Sequence, residues 1–347
     1  MIYFNCDYNE GGHPAILENL LKTNLEQTPG YGEDVHCEHA RELIRKACHA
    51  EKAGVHFLVG GTQVNFTVIR AALRPHQGVI SPVTGHINVH ETGAVEATGH
   101  KVLTVPCGPE GKLTAEQVDK LCAEHYDEAV PTEHMVQPKM VYISQPTENG
   151  ALYSKAELTA LRKVCGKWGL YLFADGARMG YGLTSQSADF TLADMATLCD
   201  VFTIGGTKCG ALFGEAAVIT NPELDKDFRY AIKQNGGMLA KGRLLGIQFE
   251  VLFTDDLYLK ICERANVLAE QITAACKEAG IPEAAPSPTN QRFFTFPDEV
   301  LKKLGDKYFF SFWEKPDDTH TVVRICTSWA TTEENVEALI QDILAVR

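Results

Sequence analysis

Positive charge is scarce in this chain. Against 45 aspartates and glutamates stand 32 lysines and arginines, a formal balance of −13. That disfavours nucleic acid and anionic membranes as partners, because both are gripped through basic surfaces. Long apolar runs are missing too. None reaches the roughly 18 residues that a membrane-spanning helix needs. The opening "MIYFNCDYNEGGHP" has no basic segment followed by an apolar one, so no signal peptide is expected. The 11 cysteines are odd in number, scattered, mostly set in apolar runs, and form no CxxC pair. They predict reduced thiols in a cytoplasmic protein, not a disulfide framework. The stretch "HCEHARELIRKACH" gathers His36, Cys37, His39, Cys48 and His49, yet without CxxC or HExxH spacing. Leu43, Ile44 and Ala47 give it the period of an amphipathic helix, which is the expected reading.

What is present is an ordinary globular composition, 45 % hydrophobic and 22 % charged over 347 residues, enough for two domains. Short β-rich runs alternate with helical patterns. "HFLVGGTQVNFTVIRAAL" reads as strand, Gly-Gly turn and helix, and "GVISPVTGHINVHETGAVEATG" as strand, loop and helix. "SKAELTALRKVCGKWG" predicts a helix capped by Ser154 and stopped at Gly169. "KMVYISQP", "LYLFADGARMG" and "VFTIGG" read as buried strands. This alternation predicts an α/β fold with a parallel sheet and helices on both faces. The stretch "LLGIQFEVLFTDDLYLKICERANVLAEQITAACKEAG" reads as a long helix that leads into a smaller α+β domain, which starts near residue 250.

In such sheets ligands bind at the carboxyl ends of the strands. Three ends carry chemistry. "HFLVGGTQ" delivers Gly60, Gly61, Thr62 and Gln63 at a helix N-terminus, where free N–H groups and the helix dipole suit a phosphate. A tight turn with a threonine cap explains that segment about as well. "LYLFADGARMG" delivers Asp175 and Arg178, which also reads as an internal ion pair. "VFTIGGTK" delivers Lys208 between apolar flanks, where the ammonium form is disfavoured and the amine can act as a nucleophile. Taken together, a phosphate cup, a strand-end Asp and a strand-end Lys 33 residues later match pyridoxal 5′-phosphate: phosphate, pyridine nitrogen and aldehyde in turn.

Beyond these residues the chain resembles the threonine aldolase family of the β-eliminating lyases, over nearly its whole length. "YGEDV", "GGTQVN", "GHINVHETGA", "ADGARMGYGL", "GGTKCG" and "VVRICTSWATTEENVEAL" carry the resemblance. It implies the PLP-dependent transferase fold type I, a large domain with a mostly parallel sheet flanked by helices and a smaller C-terminal α+β domain. On that reading residues 1–250 form the large domain, with an N-terminal arm over 1–14, and 251–347 the small one. The resemblance further implies Gly61, Thr62 and Thr207 at the phosphate, His86 stacked on the ring and Asp175 at its nitrogen. It implies Lys208 as the Schiff-base lysine, Arg178 near the cofactor and substrate carboxylate, and Arg324 gripping that carboxylate. The implied reaction is aldol cleavage of L-threonine or L-allo-threonine to glycine and an aldehyde, with β-elimination on another amino acid as the alternative.

Three segments depart from the family's pattern. Cys6 stands where a serine is expected beside the substrate carboxylate, in "FNCDY". Glu148, in "QPTENG", stands where a histidine is expected near the substrate hydroxyl. "GGMLAKGR" replaces a Gly-Gly-Met-Arg segment, so a cross-subunit phosphate contact falls to Lys241 or Arg243. The base acting on the β-hydroxyl is His86, Glu148 or a bound water. The family implies a homo-oligomer, a dimer of dimers with shared sites, to which Tyr31 contributes. No metal is expected.

Overall fold

The computed structural model describes residues 1–129 and 131–345. Its centre is a seven-stranded sheet. From one edge the order is Gly54–Leu58, Glu215–Ile219, Val201–Gly205, Tyr171–Asp175, Gln137–Ser144, Gln77–Pro82 and Val102–Val105. Glu215–Ile219 runs antiparallel to both neighbours, and the other described pairings are parallel. The sheet is thus mostly parallel, as expected, with a single reversed strand. Val201–Gly205 and Glu215–Ile219 are buried at every position, as a sheet covered on both faces requires.

Each face has its own core. Ile44, Val141, Ile143, Ala174, Phe202, Ala216 and Phe249 meet on one side. Val64, Val68, Met140, Tyr142, Phe173 and Ala217 meet on the other. The alternation Met140, Val141, Tyr142, Ile143 shows the period-2 division along one strand. Two residues beyond Phe173, Asp175 faces the second side, that of helix Gly61–Ala72.

Local chemistry explains most boundaries. Helix Lys155–Trp168 begins with a reciprocal Ser154–Glu157 capping box and ends at Gly169, whose φ of 64° is left-handed. Two expectations fail. The helix read within "GHINVHETGAVEATG" is one turn, His86–Val89, with a 3₁₀ turn at Glu96–Thr98; Thr92 and Gly93 break it at φ 53° and 71°. The single long helix is two, Arg243–Phe253 and Leu257–Glu278, because Asp255 and Asp256 between them take φ 52° and 56°. Aspartate is among the few side chains that tolerate that region, and an apolar period does not register it.

The C-terminal part holds a four-stranded antiparallel sheet in the order Ser311–Glu314, His320–Cys326, Gln291–Pro297, Glu283–Ala285. It packs with helices Leu257–Glu278 and Glu333–Ala345 around Leu268, Ile272, Phe294, Phe296, Ile325 and Leu339. The chain's beginning joins this core. Ile2–Tyr3 pairs parallel with Tyr308–Phe309, and Phe4 is buried in the cluster. From there the arm runs on to the turn after the central strand Tyr171–Asp175, where Asp7 meets Arg178.

Candidate active site

Helix Gly61–Ala72 begins after Gly60, which is extended at φ −172° and caps with no side chain. Val64 N–H is the first to reach a carbonyl, that of Gly60 at 3.1 Å. The N–H groups of Gly61, Thr62 and Gln63 meet no protein acceptor among the described residues. A Cβ added to Gly60 or Gly61 would touch nothing within 4 Å, so open space lies before the helix terminus. The threonine-cap reading does not hold, and an open, electropositive backbone cup does.

Asp175 closes the strand Tyr171–Asp175 in a polar nest. Its Oδ2 accepts from Asn65 Nδ2 at 2.9 Å and from the Tyr142 hydroxyl at 2.7 Å, and its Oδ1 from Ala177 N–H at 2.9 Å. Burial pushes its pKa up, but His86, the Asn65 and Tyr142 hydrogen bonds and Lys208 outweigh it and hold the carboxyl below its ordinary value. Asp175 is therefore a buried, ionised, oriented carboxylate. Its expected partner Arg178 is elsewhere.

Lys208 follows the strand Val201–Gly205 by three residues. Burial, then Arg178, lowers its pKa against the pull of Asp7, Asp175 and Glu215. Among the described residues its ammonium has neither a hydrogen bond nor an ion pair. Its carbonyl is fixed instead, accepting from the Tyr181 hydroxyl at 2.6 Å. Thr207 beside it accepts Gly214 N–H at 3.1 Å.

His86 opens its one-turn helix with its ring held by Glu91, Nδ1 to Oε1 at 2.7 Å. Glu91 Oε1 also accepts from Asn65 Nδ2 at 2.7 Å, so one amide ties two carboxylates, Glu91 and Asp175, together. Burial lowers the His86 pKa, but the Glu91 hydrogen bond, Asp175 and the Glu91 charge raise it on balance. Glu148 sits against the same residue. Its Oε1 accepts the His86 backbone N–H at 2.9 Å and the Ser144 hydroxyl at 2.6 Å, while its Oε2 is buried without a partner. Burial raises the Glu148 pKa.

The N-terminal arm brings Cys6 and Asp7. Asp7, fully buried, takes a forked ion pair from Arg178 and a 2.9 Å hydrogen bond from Asn290. Cys6 is buried, its thiol donating to Asn9 Oδ1 at 3.1 Å. Arg324 donates to the Asn5 carbonyl at 3.0 Å and Gln291 Oε1 at 3.2 Å, and pairs with no described carboxylate. Two guanidinium groups expected to do one job thus stand differently: Arg178 is committed to Asp7, and Arg324 keeps its charge uncompensated.

Tyr31 lies apart. It is half-exposed, at φ 60°, with Lys233 4.8 Å from its ring centroid and its N–H on the Ala240 carbonyl. Arg243 spends its guanidinium on the carbonyls of Thr23 and Asn24 at the end of helix Pro14–Thr23. His36, from the histidine-rich stretch, sits between Glu26 and Glu250 at 2.8 Å from each.

Five residues of the site escaped the sequence reading in any role: Asn65, Glu91, Tyr142, Asp7 and Glu215. Asn65 and Tyr142 sit on a helix and a strand whose neighbours are core, so no local pattern sets them apart. Glu215 had one signal, as the sole carboxylate in an apolar run.

A sequence profile of the beta-eliminating lyase family matches residues 5–299. A low specificity L-threonine aldolase of Pseudomonas sp. (strain NCIMB 10558) is 29 % identical, over 99 % of this chain and 97 % of that protein. The solved threonine aldolase of Leishmania major is 43 % identical, with a TM-score of 0.96, covering 100 % of this chain and 99 % of that one. An aspartate aminotransferase of Thermus thermophilus, 16 % identical with a TM-score of 0.71 over 100 % of this chain and 92 % of its own, shares the fold.

Proposed function

Because the chain belongs to the beta-eliminating lyase family, we propose that it is a pyridoxal-phosphate-dependent aldolase. It cleaves a β-hydroxy-α-amino acid, L-threonine or L-allo-threonine, to glycine and an aldehyde, in keeping with its aldolase relatives. One observation carries the reading. Three strand ends converge as an open N–H cup, a carboxylate kept ionised and a lysine amine kept unpaired. The donor set fits the cofactor's phosphate, ring nitrogen and aldehyde. When bound, pyridoxal phosphate supplies an electron sink that lets a bond at the substrate α-carbon break.

The chain's own residues do the rest. Gly61, Thr62 and Thr207 would hold the phosphate. Asp175, oriented by Asn65 and Tyr142, keeps the ring nitrogen protonated. Lys208 would anchor the aldehyde, and burial, which lowers its pKa, favours the neutral, nucleophilic amine. His86, fixed by Glu91, would pack against the cofactor ring. Arg324, with no carboxylate of its own, takes the substrate carboxylate. Arg178 holds Asp7, so it sets the position of the Cys6 arm rather than gripping substrate. Glu148 has one oxygen occupied and one free, and it takes the β-hydroxyl proton, next to the protonatable His86.

The finer expectations follow the same reading. Tyr31, half-exposed, serves a neighbouring subunit's site in a homo-oligomer, a dimer of dimers. All 11 cysteines are free, ten of them buried, which fits a reducing compartment such as the cytoplasm. No described helix is long and apolar enough to cross a membrane. The domains divide near residue 250, before helix Leu257–Glu278, whose first half packs with the large core and second half with the small one.

The test is incubation of the cofactor-loaded protein with L-threonine and L-allo-threonine and identification of products. Glycine with acetaldehyde is expected. 2-Oxobutyrate with ammonia would overturn the aldolase reading in favour of elimination.

A further inference from the structure

Glu215 is a carboxylate that the scheme above leaves unused. It begins the one reversed strand, and the ladder sets it between Leu58 and Gly205. Leu58 lies two residues before Gly60 of the cup, and Gly205 two residues before Thr207. Along its strand Glu215 shares a face with Ala217 and Ile219, which pack in the core beneath helix Gly61–Ala72. Its side chain therefore lies on the side of the sheet where the cup opens and where Asp175 stands. The residue is 4 % exposed, and its Oε2 is buried with no hydrogen-bond partner.

Few charges face it. Lys208 on the turn and Asp175 on the sheet act on it, with opposite signs. The strand Gly54–Leu58 offers Leu58, with His56, already bound to Asp225 at 2.6 Å, further down the ladder. The helix of the cup offers uncharged Gln63 and Asn65. Burial, and to a lesser degree Asp175, pushes Glu215 up to about 8, offset in part by Lys208 and by hydrogen bonding to Thr207 and Gly206. A cup for a phosphate dianion cannot also face a second fixed anion without a large repulsion in so dry a site.

We propose that Glu215 is a proton-holding positioning residue of the phosphate site, so that its carboxyl carries a proton when the cofactor is bound and, in alkaline solution, binding captures that proton. In that form it is a neutral donor against the wall formed by Thr207 and the cup; ionised, it expels the phosphate. The inference rests on the cofactor reading given above and adds to it a proton linked to binding. No bond forms or breaks beyond the carboxyl O–H, whose proton comes from solvent.

Pyridoxamine 5′-phosphate tests this, because it has the phosphate but no aldehyde for Lys208. Its binding to the full-length cofactor-free protein is measured by calorimetry at pH 7 and pH 9, in buffers of low and high ionisation enthalpy. Between these pH values the wild type should lose about tenfold more affinity than Glu215→Gln, and at pH 9 take up nearly one proton more per site. Glu215→Ser, a second uncharged variant, should match the glutamine variant in this flattening. Equal pH dependence and equal proton uptake in wild type and variants would overturn the proposal. So would a Glu215→Gln protein that folds but no longer binds at pH 7, since the ionised form would then be the useful one. Absence of binding by the wild type at both pH values would overturn the cofactor reading itself, and this inference with it.

Discussion

Arg178 and Asp7 form a forked ion pair across 171 residues of sequence, Nε to Oδ2 at 2.6 Å and Nη2 to Oδ1 at 2.9 Å. The pair ties the N-terminal arm to the turn after the central strand. Although burial works against it, Arg178, then Lys208 and the hydrogen bonds, lower the Asp7 pKa from 3.8 to about 2. A depressed carboxyl stabilises the fold at pH above its unfolded pKa and stops doing so as pH falls through the folded one. Asp7→Asn should therefore cost roughly 3 kcal/mol at pH 7, where Arg178 is left buried and unpaired. Urea unfolding of both proteins from pH 7 down to pH 2 should show that deficit shrinking below about pH 4. A deficit that stays constant to pH 2 would show that the fork is not the cause.

Among the described residues Lys208 has no hydrogen-bond or ion-pair partner to lose, so its removal should spare the fold. Lys208→Ala is expected to keep its unfolding midpoint within about 1 kcal/mol of wild type in the absence of cofactor, since no hydrogen bond or ion pair is broken. It should lose turnover and any linkage trapped by borohydride reduction. Asp175→Asn should bind cofactor more weakly and turn over at least about 100-fold more slowly, because a neutral amide does not keep the ring nitrogen protonated. Mass spectrometry after reduction, with steady-state rates, checks both variants.

The Glu91 carboxylate holds His86 by its ring and supports the imidazolium. Glu91→Gln should lower the His86 pKa, so the protonated form gives way at lower pH than in wild type. The pH–rate limb that reports His86 should move towards acid. Direct titration of the ring by NMR separates this shift from a general loss of structure. An unmoved titration would sever Glu91 from the role.

Glu148 is held by the His86 N–H and the Ser144 hydroxyl, with its pKa raised by burial. Glu148→Gln keeps both donors supplied with an oxygen, so cofactor affinity should change little. The carbon–carbon cleavage rate should fall by about 10²- to 10⁴-fold if this carboxylate takes the hydroxyl proton. Single-turnover measurement alongside cofactor titration checks it; an unchanged rate would leave His86 or water as the base.

Much of the fold was legible because its signals are local. Ser154 and Gly169 bracket their helix by capping and by a left-handed φ, both properties of single residues. The Gly-Gly turn after an apolar strand announced the cup for the same reason. The pairing of Glu215–Ile219 between its neighbours in reversed direction was not legible, since an apolar run has no direction. Asp255 and Asp256 broke a helix whose apolar period continues across them.

The sequence by itself determined which chemistry could be present: a dry lysine, a strand-end carboxylate and a glycine cup, each fixed by residue type and neighbours. Only the tertiary structure decided which charges meet. It gave Arg178 to Asp7 instead of Asp175, left Arg324 without a carboxylate among the described residues, linked Asp175 to Glu91 through one Asn65 amide, and set Glu215 beside the cup. Such pairings depend on contacts between distant segments, and hydrogen bonds of 2.6–2.9 Å are decided by packing that no local pattern encodes.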